Sequence, residues 1–144
     1  MSFSLKYRSI KLESGKTLHR PLVPLTIIGR KERLNVFATL DSGSDLSIIP
    51  KEIAEVLDVE YTGDNEVSGI SGKTIKTKEG RIRIIFGKSR EKYSFIIPIL
   101  IPIERENAPI ILGRVGFFNQ FKIIFLESEK RIEFKKYNKK RIFS

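Results

Sequence analysis

The sequence predicts an all-β fold, and three observations support this prediction. Short apolar runs recur along the 144-residue chain, and several alternate apolar with polar residues at the two-residue period of a half-buried strand. Polar turns that contain glycine separate these runs. Only two short segments, which follow Pro50 and Gly113, have the three- and four-residue apolar spacing of a helix.

The predicted strands follow one another from the N-terminus with short turns between them. Phe3, Leu5 and Tyr7 alternate with polar residues and predict the first strand. The other predicted strands are residues 22–28, 34–40, 66–78, 81–86 and 93–101. Turn-forming residues predict turns at residues 13–16, 29–32, 61–65 and 87–89.

The two predicted helices are both short. Pro50 suits the first turn of a helix, and Ile53, Val56 and Leu57 then share one face. In residues 113–121 the same spacing relates three apolar side chains, which are Val115, Phe118 and Phe121. Because no internal repeat and no linker divides the sequence, we expect one domain over residues 1–144.

The composition excludes several kinds of active site. The chain has no Cys, which excludes a disulfide scaffold, a thiolate metal site and a cysteine nucleophile. His19 is the only His, which argues against a Ser-His triad and against a multi-histidine metal centre. Carboxylates, lysines and hydroxyls remain as catalytic side chains. We therefore expect neither a metal nor a cofactor.

The charge and the apolar pattern indicate the surroundings of the protein. The 27 Lys and Arg against 17 Asp and Glu give a net charge of +10, so we expect contact with anionic partners. Residues 1–11 lack the apolar core of a signal peptide. The longest apolar run, residues 95–103, contains two prolines and is shorter than the about 20 residues of a membrane-spanning helix. We expect a cytoplasmic protein.

One acidic turn stands out as a candidate catalytic element. The apolar strand predicted at residues 34–40 runs directly into Asp41-Ser42-Gly43. Asp, Ser and Gly are also ordinary turn residues, so this tripeptide alone favours a surface turn over a catalytic element. Its sequence context favours a catalytic carboxylate, because three further segments accompany it in a specific order.

These segments together resemble the retropepsins, the single-domain aspartic proteases typified by the retroviral enzymes. Residues 20–27, Arg-Pro-Leu-Val-Pro-Leu-Thr-Ile, precede the Asp turn; Gly69-Ile70-Ser71-Gly72 follows it; and residues 110–114, Ile-Ile-Leu-Gly-Arg, come last. The resemblance covers about residues 20–125. It implies a closed β-barrel with one or two short helices and a flap, which is a mobile hairpin that covers the substrate.

The resemblance implies an aspartic endopeptidase that works as a homodimer. In this family two chains face each other across a twofold axis, and each contributes one Asp to the site. Two close carboxylates share a proton, so one activates a water while the other donates to the scissile carbonyl. The chain has only four Asp, and Asp41 alone directly follows a predicted buried strand. A monomer therefore lacks the second carboxylate.

The resemblance also implies supporting roles around Asp41. Ser42 matches a hydroxyl that braces the two turns across the dimer axis, and Gly43 matches a glycine whose backbone approaches the substrate. Asp45 matches an acidic position that pairs with the arginine of the late Leu-Gly-Arg motif, here Arg114. Such a pair braces the active-site turn and takes no part in the chemistry.

The implied substrate is an extended peptide or unfolded protein. The flap tip corresponds to four residues, Gly69, Ile70, Ser71 and Gly72, whose backbone amides would hold the peptide. Pocket walls would include Ile48, Ile70 and Ile111, which favours apolar side chains beside the cleaved bond; core packing is the alternative role of these isoleucines. Ser71 departs from the leaner glycine-rich flaps of retroviral enzymes.

The two ends of the chain lie outside the family core. Residues 1–19 are expected to form an N-terminal hairpin or dimer strand, and residues 129–144 a basic C-terminal strand or tail. The tail is compatible with weak contact to nucleic acid or anionic lipid, including peripheral membrane association, with Tyr137 available for stacking. Lysines that protect an edge strand from aggregation have the same composition.

Two other functions stay open on the sequence. One is a catalytically idle module of the same fold that binds extended peptides or dimerises a partner. A pure scaffold has no need for Asp41, Ser42, Gly43 and a glycine-bearing flap together, which disfavours this alternative. The other is a basic nucleic-acid-binding β-barrel, which the charge favours but the location of the aromatic residues in apolar strands does not.

Overall fold

A computed structural model of the chain describes residues 1–68 and 72–137. Among the described residues there is one α-helix, α1, which is Lys51–Leu57, and two 3₁₀ turns lie at Phe118–Gln120 and Glu127–Glu129. The strands are β1 Ser2–Lys6, β2 Arg8–Lys11, β3 Thr17–Arg20, β4 Leu22–Ile28, β5 Arg33–Leu40, β6 Ser47–Ile48, β7 Glu60–Ser68, β8 Thr74–Lys88, β9 Glu91–Pro102, β10 Ile111–Leu112, β11 Phe121–Leu126 and β12 Arg131–Lys136. The all-β prediction is confirmed.

The largest sheet closes into a barrel. Its strand order is β4-β5-β10-β6-β9-β8-β7, and a further pairing of β4 with β8 joins the ends of the first six strands. β7 pairs antiparallel with β8 and is the last strand in this order. The two strands form a long hairpin, paired from Glu60↔Arg81 to Ser68↔Thr74. Residues 69–71, which include three of the four predicted flap-tip residues, lie outside the described residues.

Two smaller sheets lie beside the barrel. β1 pairs with β12 and β12 with β11, all antiparallel, so both ends of the described chain meet in one sheet. β2 and β3 form a separate two-stranded hairpin. The basic segment after Tyr137 lies outside the described residues.

An aromatic cluster joins the terminal sheet to the barrel. Phe86 of β8 is 1 % exposed, and its ring lies within 5.0–5.6 Å, between centroids, of four other phenylalanine rings. These are Phe3, Phe117, Phe121 and Phe134. Tilted and edge-to-face rings at these separations add to the free energy gained by burying their apolar area.

The segment predicted as a turn at residues 61–65 lies inside strand β7. Its pairing with β8 is irregular between Tyr61 and Gly63, which is the signature of a β-bulge. The turn-forming residues therefore bend the strand without ending it. The predicted boundary between strands 66–78 and 81–86 is also absent. β8 runs without a break from Thr74 to Lys88, so it joins the end of the first predicted strand to the second.

The predicted helix at residues 113–121 is wrong. The chain there makes successive turns and a single 3₁₀ turn, and β11 begins at Phe121. Gly116 has a φ of +90°, which a right-handed helix does not contain. Of the three apolar residues at helical spacing, Phe121 is 2 % exposed whereas Val115 is 47 % exposed, so the three do not form one buried stripe.

The predicted turn at residues 87–89 is displaced towards the C-terminus. Lys88 still pairs with Glu91, so the connection between β8 and β9 is the two-residue turn Ser89-Arg90. Ser89 has a φ of +55°, as the first central residue of a tight hairpin turn requires.

Within the described residues, no helix is long and apolar enough to cross a membrane, and no group of three or more potential metal-ligating side chains occurs.

Replacing the ring at the centre of the aromatic cluster should destabilise the protein strongly. We expect Phe86→Ala to cost about 3–5 kcal/mol in the free energy of unfolding, since it removes buried area and leaves a cavity. Ile96→Ala is the control, because Ile96 is 51 % exposed. Urea denaturation of both variants measures the difference, and similar losses for the two would contradict the assignment of Phe86 to the centre of the core.

Candidate active site

Asp41 lies at the end of β5, where the chain turns away from the barrel. Its Oδ1 accepts a hydrogen bond from the Gly43 N–H at 2.9 Å, and its carbonyl accepts one from the Ser44 N–H at 3.1 Å. The backbone of the turn therefore fixes one carboxylate oxygen. Asp41 is partly exposed, while Ser42 and Gly43 beside it are exposed.

Strand β10 holds the turn from the other side. β10 inserts between β5 and β6, parallel to β5 and antiparallel to β6. The Asp41 N–H donates to the Leu112 carbonyl at 3.1 Å, and the Arg114 N–H donates to the Ser44 carbonyl at 2.9 Å. The residues on both sides of the Asp turn are thus tied to one late segment of the chain.

This insertion depends on a glycine and a buried serine that sequence reasoning did not select as site residues. A Cβ on Gly113 would collide with the Leu46 carbonyl and lie 2.9 Å from the Ser44 carbonyl oxygen. The Gly113 N–H donates to Oγ of Ser47, which is 0 % exposed, at 3.0 Å. The sequence signal for Gly113 was its place in the Leu-Gly-Arg motif. Ser47 gave no signal, because it is one of several serines that follow Asp41.

Asp45 and Arg114 form the ion pair that the resemblance implied. Nη2 of Arg114 donates to Oδ1 of Asp45, and the Val115 N–H donates to the Asp45 carbonyl at 2.8 Å. The Arg114 side chain is 56 % exposed and the Asp45 side chain 78 % exposed. Because water screens such an exposed pair, it contributes at most about 1 kcal/mol to the free energy of unfolding. Its position, between the Asp turn and the segment after β10, suits it to orienting these backbones.

Ile48 and Ile111 lie opposite each other in the β6–β10 pair and share a mostly apolar pocket. The pocket has a volume of about 110 Å³. Its other lining residues come from β8, β9 and the loop before β10, and they are Ile75, Thr77, Leu100, Pro102, Arg105, Ala108 and Pro109. Sequence reasoning missed these residues because they converge only when the barrel closes.

The long β7–β8 hairpin carries the predicted flap residues. Gly69, Ile70 and Ser71 lie outside the described residues. Gly72 has a φ of +77°, a conformation that suits glycine, and a side chain there would meet no neighbouring atom within 4 Å. Ile75 and Thr77 of the same hairpin line the pocket.

Asp41 is separate from the other aspartates of the chain. Among the described residues, Asp41 forms no hydrogen bond with another carboxyl group. The remaining aspartates belong to other features: Asp45 pairs with Arg114, Asp58 pairs with Arg30 at the end of α1, and Asp64 lies opposite Lys78 in the hairpin.

The comparison with solved structures identifies the architecture. No protein-family model and no curated protein matches the sequence. A retropepsin-like aspartic protease from Rickettsia conorii aligns with a TM-score of 0.55 and 12 % identity, over 93 % of this chain and 91 % of that chain. The chain has a retropepsin-like fold.

Two further structures of the same kind align over most of their lengths. The EIAV protease complexed with the inhibitor HBY-793 is 20 % identical, with a TM-score of 0.48 over 73 % of this chain and 88 % of that chain. The retroviral protease-like domain of Ddi1 from Leishmania major is 16 % identical, with a TM-score of 0.47 over 85 % and 98 %. The fold assignment rests on the alignment with the Rickettsia conorii structure.

A side chain at position 113 should distort the Asp turn. We expect Gly113→Ala to cost about 1–3 kcal/mol in the free energy of unfolding, because the new methyl group overlaps two backbone carbonyls. Gly63→Ala is the matched control, since its Cβ would lie 3.5 Å from Glu79 Oε2, an ordinary contact. Urea denaturation compares the two, and an unchanged stability of Gly113→Ala would contradict the tight insertion of β10.

Proposed function

We propose that the protein is an aspartic endopeptidase that acts as a homodimer. The observation that carries the proposal is the position of Asp41 in a turn directly after β5. The Gly43 N–H donates to its carboxylate, the Ser44 N–H donates to its carbonyl, and its own N–H donates to the Leu112 carbonyl. The retropepsin-like fold supports the proposal, because it is shared with a protein described as an aspartic protease. The whole of residues 1–144 forms the catalytic domain, with its family core at about residues 20–125.

The reaction requires the Asp41 carboxylates of two chains in one site. Two carboxylates at such short separation share a single proton, since both cannot ionise readily. The ionised one removes a proton from a water between them, and the water oxygen attacks the scissile carbonyl carbon. The protonated one donates its proton to the carbonyl oxygen. Collapse of the resulting gem-diol breaks the C–N bond: the carboxyl group that took the proton from the water passes it to the leaving amine, and the other carboxylate regains a proton from a gem-diol hydroxyl.

The neighbours of Asp41 position the pair of carboxylates. The Gly43 N–H bonds one carboxylate oxygen and leaves the other for the water or the partner carboxyl. The exposed Ser42 hydroxyl is free to reach across the dimer axis, as the family resemblance implies. Asp45 and Arg114 tie the turn to the chain after β10, so that the carboxylate keeps its orientation.

The preferred substrate is an extended peptide with apolar side chains beside the cleaved bond. The pocket that contains Ile48 and Ile111 suits an aliphatic or small aromatic side chain, because its walls are mostly apolar. The peptide backbone would pair with the β7–β8 hairpin as an added strand. In this role Gly69, Ile70, Ser71 and Gly72 form the tip of the flap.

Replacing the Asp41 carboxylate should abolish peptide hydrolysis. Wild-type protein and Asp41→Asn would digest a peptide library made from denatured proteins across acidic to neutral pH, with cleavage sites read by mass spectrometry. We expect cleavage beside apolar residues in the wild type, none in the variant, and inhibition by a statine-type transition-state analogue. Asp58→Asn is the control, since Asn tolerates the left-handed φ of +55° at this position.

Each result of this digestion has a distinct meaning. Equal cleavage by the wild type and Asp41→Asn would show that Asp41 is not a catalytic residue. No cleavage by either protein, with a dimer present, would favour an idle module that binds peptides or dimerises a partner.

A further inference from the structure

The β2–β3 hairpin is an element that the barrel does not need for its closure. Within the described chain, β2 and β3 pair only with each other, and seven of their eight residues are exposed. A two-stranded hairpin alone is at best marginally stable in water. A surface that packs against it would supply the missing burial.

One face of the hairpin is partly apolar. Arg8 pairs with Arg20 and Ile10 with Leu18, so these four side chains share a face of the two-stranded sheet. Leu18 and the neighbouring Leu12 are 39 % and 37 % exposed. These exposed leucines, together with Ile10, form the apolar part of a surface that no described element covers fully.

The same surface continues onto the barrel. The Arg8 guanidinium carbon lies 3.8 Å from the centroid of the Phe37 ring, and Phe37 of β5 is 45 % exposed. This contact anchors the base of the hairpin beside β5. We call Ile10, Leu12, Leu18 and Phe37 the hairpin patch.

Both ends of the hairpin are fixed, and one end adjoins the catalytic turn. At the start, the buried Tyr7 donates its N–H to the Lys130 carbonyl at 2.8 Å and its hydroxyl to Glu127 Oε1 at 3.1 Å. At the other end, the Pro21 carbonyl accepts the N–H of Leu40 at 3.1 Å. Leu40 directly precedes Asp41, so the hairpin leaves the barrel one residue from the carboxylate.

We propose that the hairpin patch packs against the second copy of the chain in the active dimer. This inference rests on the proposed function, because only a shared site requires a second copy close to Asp41. That copy must lie beside the end of the hairpin, since β3 ends next to the strand that carries Asp41. The hairpin then acts as an arm that buries its leucines on the partner.

The hairpin offers few residues of the kind that stack on nucleic-acid bases. Residues 8–20 contain no Phe, Tyr or Trp, and the Arg8 guanidinium already lies over the ring of Phe37, the aromatic member of the patch, so little is available to stack on a nucleic-acid base. The cations Arg8, Lys11, Lys16 and Arg20 have Glu13 as the only acidic residue among them. Two such arms repel each other, so moderate salt should strengthen the dimer by screening.

Removing the leucines should weaken the dimer without unfolding the protein. The test is sedimentation equilibrium of Leu12→Ser/Leu18→Ser against a matched double control, Val56→Ser/Ile96→Ser, whose two side chains are 54 % and 51 % exposed. We expect the dimer dissociation constant to rise at least about tenfold in the hairpin variant and to stay unchanged in the control. A single variant, Leu18→Glu, tests the same surface, and urea denaturation confirms that each variant folds.

Activity separates the dimer arm from a role in substrate binding. With peptide cleavage as readout, we expect the hairpin variant to lose activity at low enzyme concentration and to regain it at high concentration, with kcat and KM per dimer unchanged. An unchanged dissociation constant in a folded hairpin variant would overturn the inference. A raised KM with an intact dimer would assign the patch to the substrate, and binding to anionic vesicles that the variant loses would assign it to lipid; either result overturns the inference.

The inference and the proposed function fail in different ways. A wild-type dimer that the hairpin variant dissociates, without peptidase activity in either, would support the arm and overturn the peptidase. A wild-type protein that stays monomeric at every concentration tested would overturn both.

Discussion

The insertion of β10 between β5 and β6 is the constraint on which the candidate site depends. β5 ends at Leu40, and without a partner beyond it the backbone of the Asp turn would have to satisfy its polar groups with water. Leu112 and Arg114 supply those hydrogen bonds from a segment about 70 residues away. Because Gly113 leaves no room for a side chain, the two segments approach closely enough to share them.

The closed barrel brings this late segment to the turn. β4 pairs with both β5 and β8, and β9 lies beside β6, so the ring of strands carries the chain back to the point where Asp41 leaves it. The same closure brings Ile48 and Ile111 together at the pocket. Closure of the barrel therefore both fixes the Asp41 carboxylate and forms the apolar pocket that would receive a substrate side chain.

Sequence reasoning was most successful where the information is local. The alternation in residues 22–28 and 34–40, the Pro50 start of α1 and the turn after Leu40 all depend on neighbours in the chain, and each appears in the structure. It failed where distant contacts decide. Residues 61–65 have turn-type side chains, yet pairing with β8 keeps them in a strand. Gly116 has a positive φ and packs so closely against Pro98 of β9 that a Cβ would collide with it, which prevents the helix that the spacing of Phe118 and Phe121 predicted.

The most direct test of the central claim is a subunit-mixing experiment. Wild-type protein and Asp41→Asn would be mixed in varying ratios at a constant total concentration, under conditions where subunits exchange between dimers. Peptide cleavage would then be measured against the fraction of wild-type chains. If one site needs an Asp41 from each of two chains, mixed dimers are inactive and activity falls with the square of the wild-type fraction. A fall in direct proportion to that fraction would show that each chain works alone, and would contradict the shared pair of carboxylates.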